Sequence, residues 1–300
     1  MTVALVANPA ARSGGGVAPA ERAAERLRAG GLEVAMVSGG SAAESTRLLR
    51  AALDLDATAV VVAGGDGTVH LAIQEVAGTG IPLGIIPIGT GNDMAAVAGL
   101  RELDLDAAAD AIVAGATRHV DLARVTRGDG SAQLFGTVLA SGFDSRVNDR
   151  ANAMRWPRGG SRYTIAILIE FLQLHGVPFR LDLELADGTQ ETLSGDLVMA
   201  TVGNGRTYGG GIPICPDADP ADGLLDVTLV RPGGRLHLLR LLPRVYKGTH
   251  TSLDEVSTRR VRSIRLDSPG VTAYADGDPI GELPLLVDVV PSALRLFVRA

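Results

Sequence analysis

The sequence has almost no lysine. Lys247 is the only one in 300 residues, and every other strongly basic side chain is an arginine. A protein of this kind that handles nucleotide phosphates cannot use a P-loop lysine; arginine, backbone N–H groups or a metal must meet the charge. Cysteine is equally scarce. Cys215 stands alone, which excludes an internal disulfide and a Cys-based zinc site and fits a reducing cytoplasm. It follows a GGG loop with no base beside it and reads as a small buried residue. No apolar run approaches the roughly 18 residues of a membrane span. The best of them, Tyr163 to Leu174, is short and carries Glu170. The start, "MTVALVANPA", lacks the basic n-region of a signal peptide. A basic excess is missing too: the net charge of −6 argues against nucleic acid as a partner.

What is present is a change of texture along the chain. Up to about residue 125, strand-like and helix-like patterns alternate, as an α/β layer requires. "TVALVAN", "LEVAMVS", "ATAVVVAG" and "IPLGIIP" read as strands, the third so continuously apolar that it suits a parallel sheet covered on both faces. Helices are expected between them, one from about Pro19 to Gly30 and one opened by the capping-box pair Ser41 and Glu44. Beyond Val125, alternating runs such as "QLFGTVLA", "FRLDLELADGTQETL" and "DLVMATVG" read as antiparallel strands, with Asp187-Gly188 as a hairpin turn. One helical segment is expected in the middle, roughly Arg162 to Leu174. With no long linker, the two parts should pack across a cleft, where ligands usually bind.

Three loops at the carboxyl ends of the predicted parallel strands are glycine-rich: Asn8 to Gly16, Gly64 to Thr68 and Gly89 to Asp93. Each precedes a predicted helix, whose free N–H groups and dipole favour an anion. Neither G-x-x-x-x-G-K-[ST] nor G-x-G-x-x-G is present. Together the loops make a phosphate-binding rim, although any one of them could be a tight turn. Asp66 sits in the middle of that rim. A carboxylate there is tolerable if it faces Mg²⁺ or an incoming hydroxyl.

The segments "ANPAARSGGG", "GGDGTVHLAIQEVAG", "PLGIIPIGTGNDMA", "HVDLARV", "NGRTYGGGIPICPDADPADGLLDV" and "ADGDP" resemble, in order, those of the soluble lipid kinases. That family includes bacterial diacylglycerol kinases and the catalytic domains of sphingosine and ceramide kinases. GGDGT is shared with NAD kinases; "GTGNDMA" and "DADPADGLLD" single out the lipid kinases. The resemblance implies α/β + β architecture. An N-terminal α/β nucleotide-binding domain (residues 1–125, with a returning C-terminal strand at about 292–300) would precede a mainly antiparallel β-sandwich acceptor domain (126–291). It implies γ-phosphoryl transfer from ATP, with Mg²⁺, to a lipid hydroxyl, diacylglycerol being the default. An NAD kinase-like enzyme, or a nucleotide- or lipid-binding protein without catalysis, are the alternatives.

By the same resemblance, Asp66 is the catalytic carboxylate and Asp121 belongs to its metal and water network. Asp278 stands where most relatives carry a glutamate proposed as general base; aspartate is one methylene shorter, so the alternatives are a slightly more closed site or Asp66 as the base. Asn8, Arg12, Ser13, Gly14, Gly64, Gly65, Gly67, Thr68, Gly89, Thr90, Gly91, Asn92, Asp276 and Gly277 would hold the nucleotide, and Asp222 and Asp226, with Asp121, would ligate Mg²⁺. Asp276-Gly277 is also an ordinary hairpin signal, and Asp121, Asp222 and Asp226 could be strand-end or turn residues. Relatives often carry lysine in the first loop, where this chain leaves Arg12. His70 replaces a common asparagine and reads as a helix-surface or core residue. A basic, leucine-containing stretch, Arg231 to His250, with four Arg, one Lys and no acid, suits transient contact with a membrane surface or a solvated helix. The expected protein is cytoplasmic and peripheral at the inner face of the membrane. Its oligomeric state is left open, a homodimer included.

Overall fold

The computed structural model describes residues 1–7, 17–154, 165–170, 173, 175–234, 241 and 243–299. The first glycine loop, with Asn8, Arg12, Ser13 and Gly14, lies outside the described residues, as do 235–240 and 242 of the basic stretch, Arg235 and Arg240 among them.

Strands β1 (Thr2–Ala7), β2 (Glu33–Ser38), β3 (Ala59–Gly64) and β4 (Leu83–Pro87) pair in parallel in the order β2-β1-β3-β4. Helices α1 (Val17–Ala29), α2 (Ala42–Asp54), α3 (Asp66–Val76), α4 (Asp93–Val97) and α5 (Leu105–Ala114) connect and cover them. The β-branched run of β3 shows why both faces are dry. Val60 and Val62 pack with Leu49, Val69 and Ile73 of α2 and α3, while Val61 packs with Ala20, Leu27 and Ile112 of α1 and α5. Every residue of β3 is buried. The chain leaves β1 toward β2 on one side and continues through β3 to β4 on the other. The sheet therefore switches direction between β1 and β3, the place where α/β sheets open a crevice at their carboxyl ends.

The remainder is mainly antiparallel. It comprises β5 (Thr117–Thr126), β6 (Ala132–Phe135), β7 (Val138–Gly142), α6 (Phe143–Ala153), β8 (Val177–Leu185), β9 (Gln190–Leu197), β10 (Met199–Gly203), β11 (Leu225–Val230), β12 (Val256–Asp267), β13 (Thr272–Ala275), β14 (Asp278–Glu282) and β15 (Leu285–Phe297). Phe135, Leu139, Phe179, Leu181, Val227, Ile264 and Val287 belong to its core. Two elements differ from the sequence reading. "QLFGTVLA" is two strands, broken at Gly136-Thr137, because those two N–H groups point at Asp276 instead of a ladder partner. Helix α6 was not expected, and of the expected helix only 165–170 is described as helical.

Strand β15 joins the two halves. Leu285–Asp288 pair with β12, Leu296 pairs with Leu83 of β4, and β5 runs antiparallel along it from Leu286 to Phe297. The returning C-terminal strand is thus part of a longer one, interrupted by a bulge between Val290 and Leu294. Among the described residues no helix is long and apolar enough to cross a membrane.

Candidate active site

The turns after β3 and β4 touch. A Cβ on Gly89 would stand 2.6 Å from the Gly65 Cα, so the turn after β4 cannot carry a side chain at the contact. No side chain caps the start of α3, and a Cβ on Gly67, in its first turn, would project into open space. An uncapped helix start with its backbone bare suits phosphate oxygens. The α3 start and the Gly89–Asn92 turn thus form a cradle of bare backbone whose chemistry suits an anion.

Asp66 begins α3 but turns toward the second glycine loop. Its Oδ2 accepts from the Asn92 N–H and its Oδ1 from the Asp93 N–H, each at 3.0 Å. Gly91 must be glycine, because a Cβ there would lie 2.2 Å from Asp66 Oδ2. Burial, with the charge of Asp93 adding to it, raises the Asp66 carboxyl above its ordinary value despite the two N–H donors.

Asp93, which the sequence reading did not single out, is a second centre. It is buried, and Oδ1 accepts from the Thr207 hydroxyl (2.8 Å) and the Gly211 N–H (2.9 Å), while Oδ2 accepts from the Gly210 N–H (2.9 Å). Gly209, Gly210 and Gly211 all have positive φ (58°, 86° and 101°), the conformation that turns successive N–H groups onto one carboxylate. Arg101 lies 3.7 Å from Asp93 Oδ1 and also donates to the Gly210 carbonyl. Asp93 and Arg101 therefore fasten the 207–211 loop of the β-rich half to the turn after β4. The only sequence signal was Asp93 next to a glycine loop, with its partners more than a hundred residues away.

Asp276 is both a turn residue and a buried anchor. With φ values of 50° and 90°, Asp276 and Gly277 make the β13–β14 hairpin turn. The Asp276 carboxylate accepts from the Gly136 and Thr137 N–H groups (2.9 Å each), the Thr137 hydroxyl (2.5 Å) and His70 Nδ1 (3.2 Å). Burial would raise this carboxyl, but His70 and the other donors outweigh it and lower it. Asp278, half-exposed two residues on, acts electrostatically on His70, and Asp276 acts on Asp66. The hairpin thus lies against α3 beside the cradle.

Asp121 is buried, with both carboxylate oxygens engaged by backbone donors. Its Oδ2 accepts from the Gly223 N–H and its Oδ1 from the Ser292 N–H, both at 2.7 Å. Ser292 sits in the β15 bulge with φ 53°, so Asp121 holds the bend where β15 passes from one half to the other. Asp222 pairs with Arg260. Asp226 has a buried Oδ2 with no hydrogen-bond partner, and burial pushes its carboxyl up to about 6 against the opposing charge of Arg260. Among the described residues no group of three His, Cys, Asp or Glu side chains is arranged to hold a metal. Asp121, Asp222 and Asp226 are therefore not gathered as one cluster. The orphaned Asp226 oxygen beside Asp222 still fits a hard dication, which prefers oxygen donors.

Comparison with known proteins agrees with this geometry. Residues 2–125 match the model of the diacylglycerol kinase catalytic domain, and residues 137–298 that of the YegS C-terminal NAD kinase beta sandwich-like domain. A "Diacylglycerol kinase" of Mycobacterium tuberculosis (strain CDC 1551 / Oshkosh) is 49% identical over 98% of this chain and 94% of its own length. The "Probable lipid kinase YegS-like" of Stenotrophomonas maltophilia is 31% identical over 86% of this chain and 84% of its own. Among solved structures, one titled as a diacylglycerol kinase from Bacillus anthracis has a TM-score of 0.70 at 19% identity, covering 99% of this chain and 96% of that one. An NAD kinase from Archaeoglobus fulgidus in complex with ATP has a TM-score of 0.54 at 14% identity, covering 100% and 94%; at such identities the likeness concerns the fold. Cradle, hairpin and whole-length similarity lead to one conclusion: the chain belongs to the diacylglycerol kinase-like family of lipid kinases, enzymes that phosphorylate an alcohol.

Proposed function

We propose that the protein transfers the γ-phosphoryl group of ATP, with Mg²⁺, to the hydroxyl of a lipid, diacylglycerol being the acceptor and phosphatidic acid the product. The observation that carries this reading is the touching Gly65–Gly89 turns at the uncapped start of α3, with Asp66 at the same point. The α3 N–H groups would hold phosphate oxygens, and Gly64, Thr68, Thr90 and Asn92 complete the two turns. Asp278, on a hairpin lying against α3, would take the hydroxyl proton. Asp66, whose carboxyl is raised by burial, orients the second glycine turn and would face the transferred group. Mg²⁺, when bound, supplies positive charge against the phosphate oxygens, and Asp222 and Asp226 would hold a second, structural dication. Arg244, Tyr246 and Lys247 are exposed together around the buried Val245, which supports a peripheral stance at a membrane surface from the cytoplasmic side.

The test is to offer the protein labelled ATP, Mg²⁺, a total lipid extract and, in parallel, NAD, and to identify labelled products by mass spectrometry. Phosphatidic acid is the expected product. Label in NAD alone, or in no acceptor, would overturn the proposal.

A further inference from the structure

His70 is buried, with its side chain 7% exposed, at a position one helical turn after Asp66. Its two ring nitrogens face different kinds of partner. Nδ1 meets the Asp276 carboxylate at 3.2 Å, and Nε2 meets the side-chain Nε2 of Gln133 on β6. The Gln133 amide has its other end fixed: Oε1 accepts from the Arg127 guanidinium at 2.9 Å. A guanidinium can only donate. That sets the amide with its oxygen toward Arg127 and its NH₂ toward the histidine. His70 Nε2 must then accept, and the proton sits on Nδ1, donated to Asp276. Arg127 also donates through Nε to the Ile280 carbonyl at 2.8 Å. The β13–β14 hairpin is thus gripped on both sides of Asp278: at Asp276 by the imidazole and at Ile280 by the guanidinium.

We infer that Arg127, Gln133 and His70 form a one-way chain of donors ending on Asp276, holding the hairpin that carries Asp278 against α3, and that protonating His70 Nε2 breaks the chain at Gln133. This rests on the phosphoryl-transfer reading above, in which Asp278 takes the hydroxyl proton. None of the three is a catalytic residue; they act through the hairpin.

The electrostatics put the break within reach of ordinary pH. Burial lowers the proton affinity of His70, but the hydrogen bond and charge of Asp276, with Asp278 behind it, outweigh this and raise it above the usual value. Those two carboxylates are the ionised groups that act on the imidazole from the facing hairpin. On its own helix the nearest is Asp66, whose oxygens are turned to Asn92 and Asp93, and from β6 it meets only the neutral Gln133. When Nε2 gains a proton, an N–H faces an N–H. The amide can satisfy it only by turning over, which points its NH₂ at Arg127. Catalytic efficiency should therefore be full with His70 neutral and fall as pH drops through its titration, by about tenfold per pH unit for a single-proton limb.

Two measurements decide this. Nitrogen NMR of the full-length wild-type protein should find the Nδ1–H form of His70 at pH 8, whatever the acceptor lipid proves to be. The pH profile of kcat/KM should show an acid limb that is absent in His70→Asn, whose amide can still donate to Asp276 but does not titrate. The limb should also be absent in Gln133→Glu, because its carboxylate accepts from both Arg127 and a protonated Nε2. Thermal melting of each variant separates a folding defect from lost positioning. An Nε2–H form at pH 8, or an acid limb unchanged in Gln133→Glu, overturns the inference. Loss of lipid phosphorylation at every pH with the Nδ1–H form present would instead count against the proposed reaction.

Discussion

Asp144 lies in the first turn of α6, buried, and its Oδ2 has no hydrogen-bond partner. Among the described residues the Tyr208 hydroxyl stabilises it, but burial pushes the carboxyl up to about 6. An unfolded aspartate titrates near 3.9, so folding raises this group by about 2 units, or about 3 kcal/mol. The sign follows from proton binding. Between those two values the native state holds more protons than the unfolded chain, so stability from this group is present below about pH 4 and is lost as pH rises through about 6. Asp144→Asn removes the charge and keeps an acceptor for Tyr208, while its new NH₂ group, lacking an acceptor, offsets about 1 kcal/mol of the gain. The net stabilisation expected at pH 7.5 is about 2 kcal/mol, a rise in melting temperature of about 5 °C for a chain of this size. Thermal melting of both proteins should show a gap that opens between about pH 4 and pH 6 and stays flat above it. A gap independent of pH, or a variant less stable at pH 7.5, would refute the argument that the carboxylate is buried without adequate partners.

Three further outcomes follow from the site. Asp66→Asn, which turns one acceptor into a donor against the Asn92 or Asp93 N–H, should lower kcat for lipid phosphorylation by about 10²–10⁴-fold; unchanged kcat would remove Asp66 from the chemistry. Gly89→Ala should cost about 1–3 kcal/mol by forcing the touching turns apart and should weaken nucleotide binding, both read by melting with and without ATP. Asp93→Ala leaves the Gly210 and Gly211 N–H groups and Arg101 without their shared acceptor, at a cost of about 3 kcal/mol. Limited proteolysis should then find cleavage at the 207–211 loop that the wild type resists.

The parallel half was legible because its signals are local. The β3 run has to be covered on both faces, Ser41 Oγ does accept from the Glu44 N–H at 3.2 Å, and Asp187-Gly188 turns β8 into β9 with Gly188 at φ 86°. The Glu44 side chain accepts from Gly40 N–H, one residue before the usual capping-box donor. Helix α6 was missed because "FDSRVNDRANA" shows only Phe143, Val147 and Ala151 at helical spacing among polar residues. The roles of Asp93, His70 and Asp121 were hidden for another reason. Their partners, Gly210, Asp276 and Ser292, come from the other half of the chain, and no spacing rule encodes a contact across so many residues. Asp276 shows the limit of choosing between two readings: a turn residue can also carry a buried carboxylate that the site depends on.

Strand β15 bears on how the protein is made. Ribosomes deliver the amino-terminal half first, at about 5–20 residues per second. Until residues 285–297 emerge, the outer edge of β4 and the long flank of β5 have no partner there. An open apolar edge is a template for pairing with other chains. The nascent α/β half must therefore wait, for about ten seconds or more at that speed, with its sheet incomplete. One late strand thus completes the sheet for both halves at once.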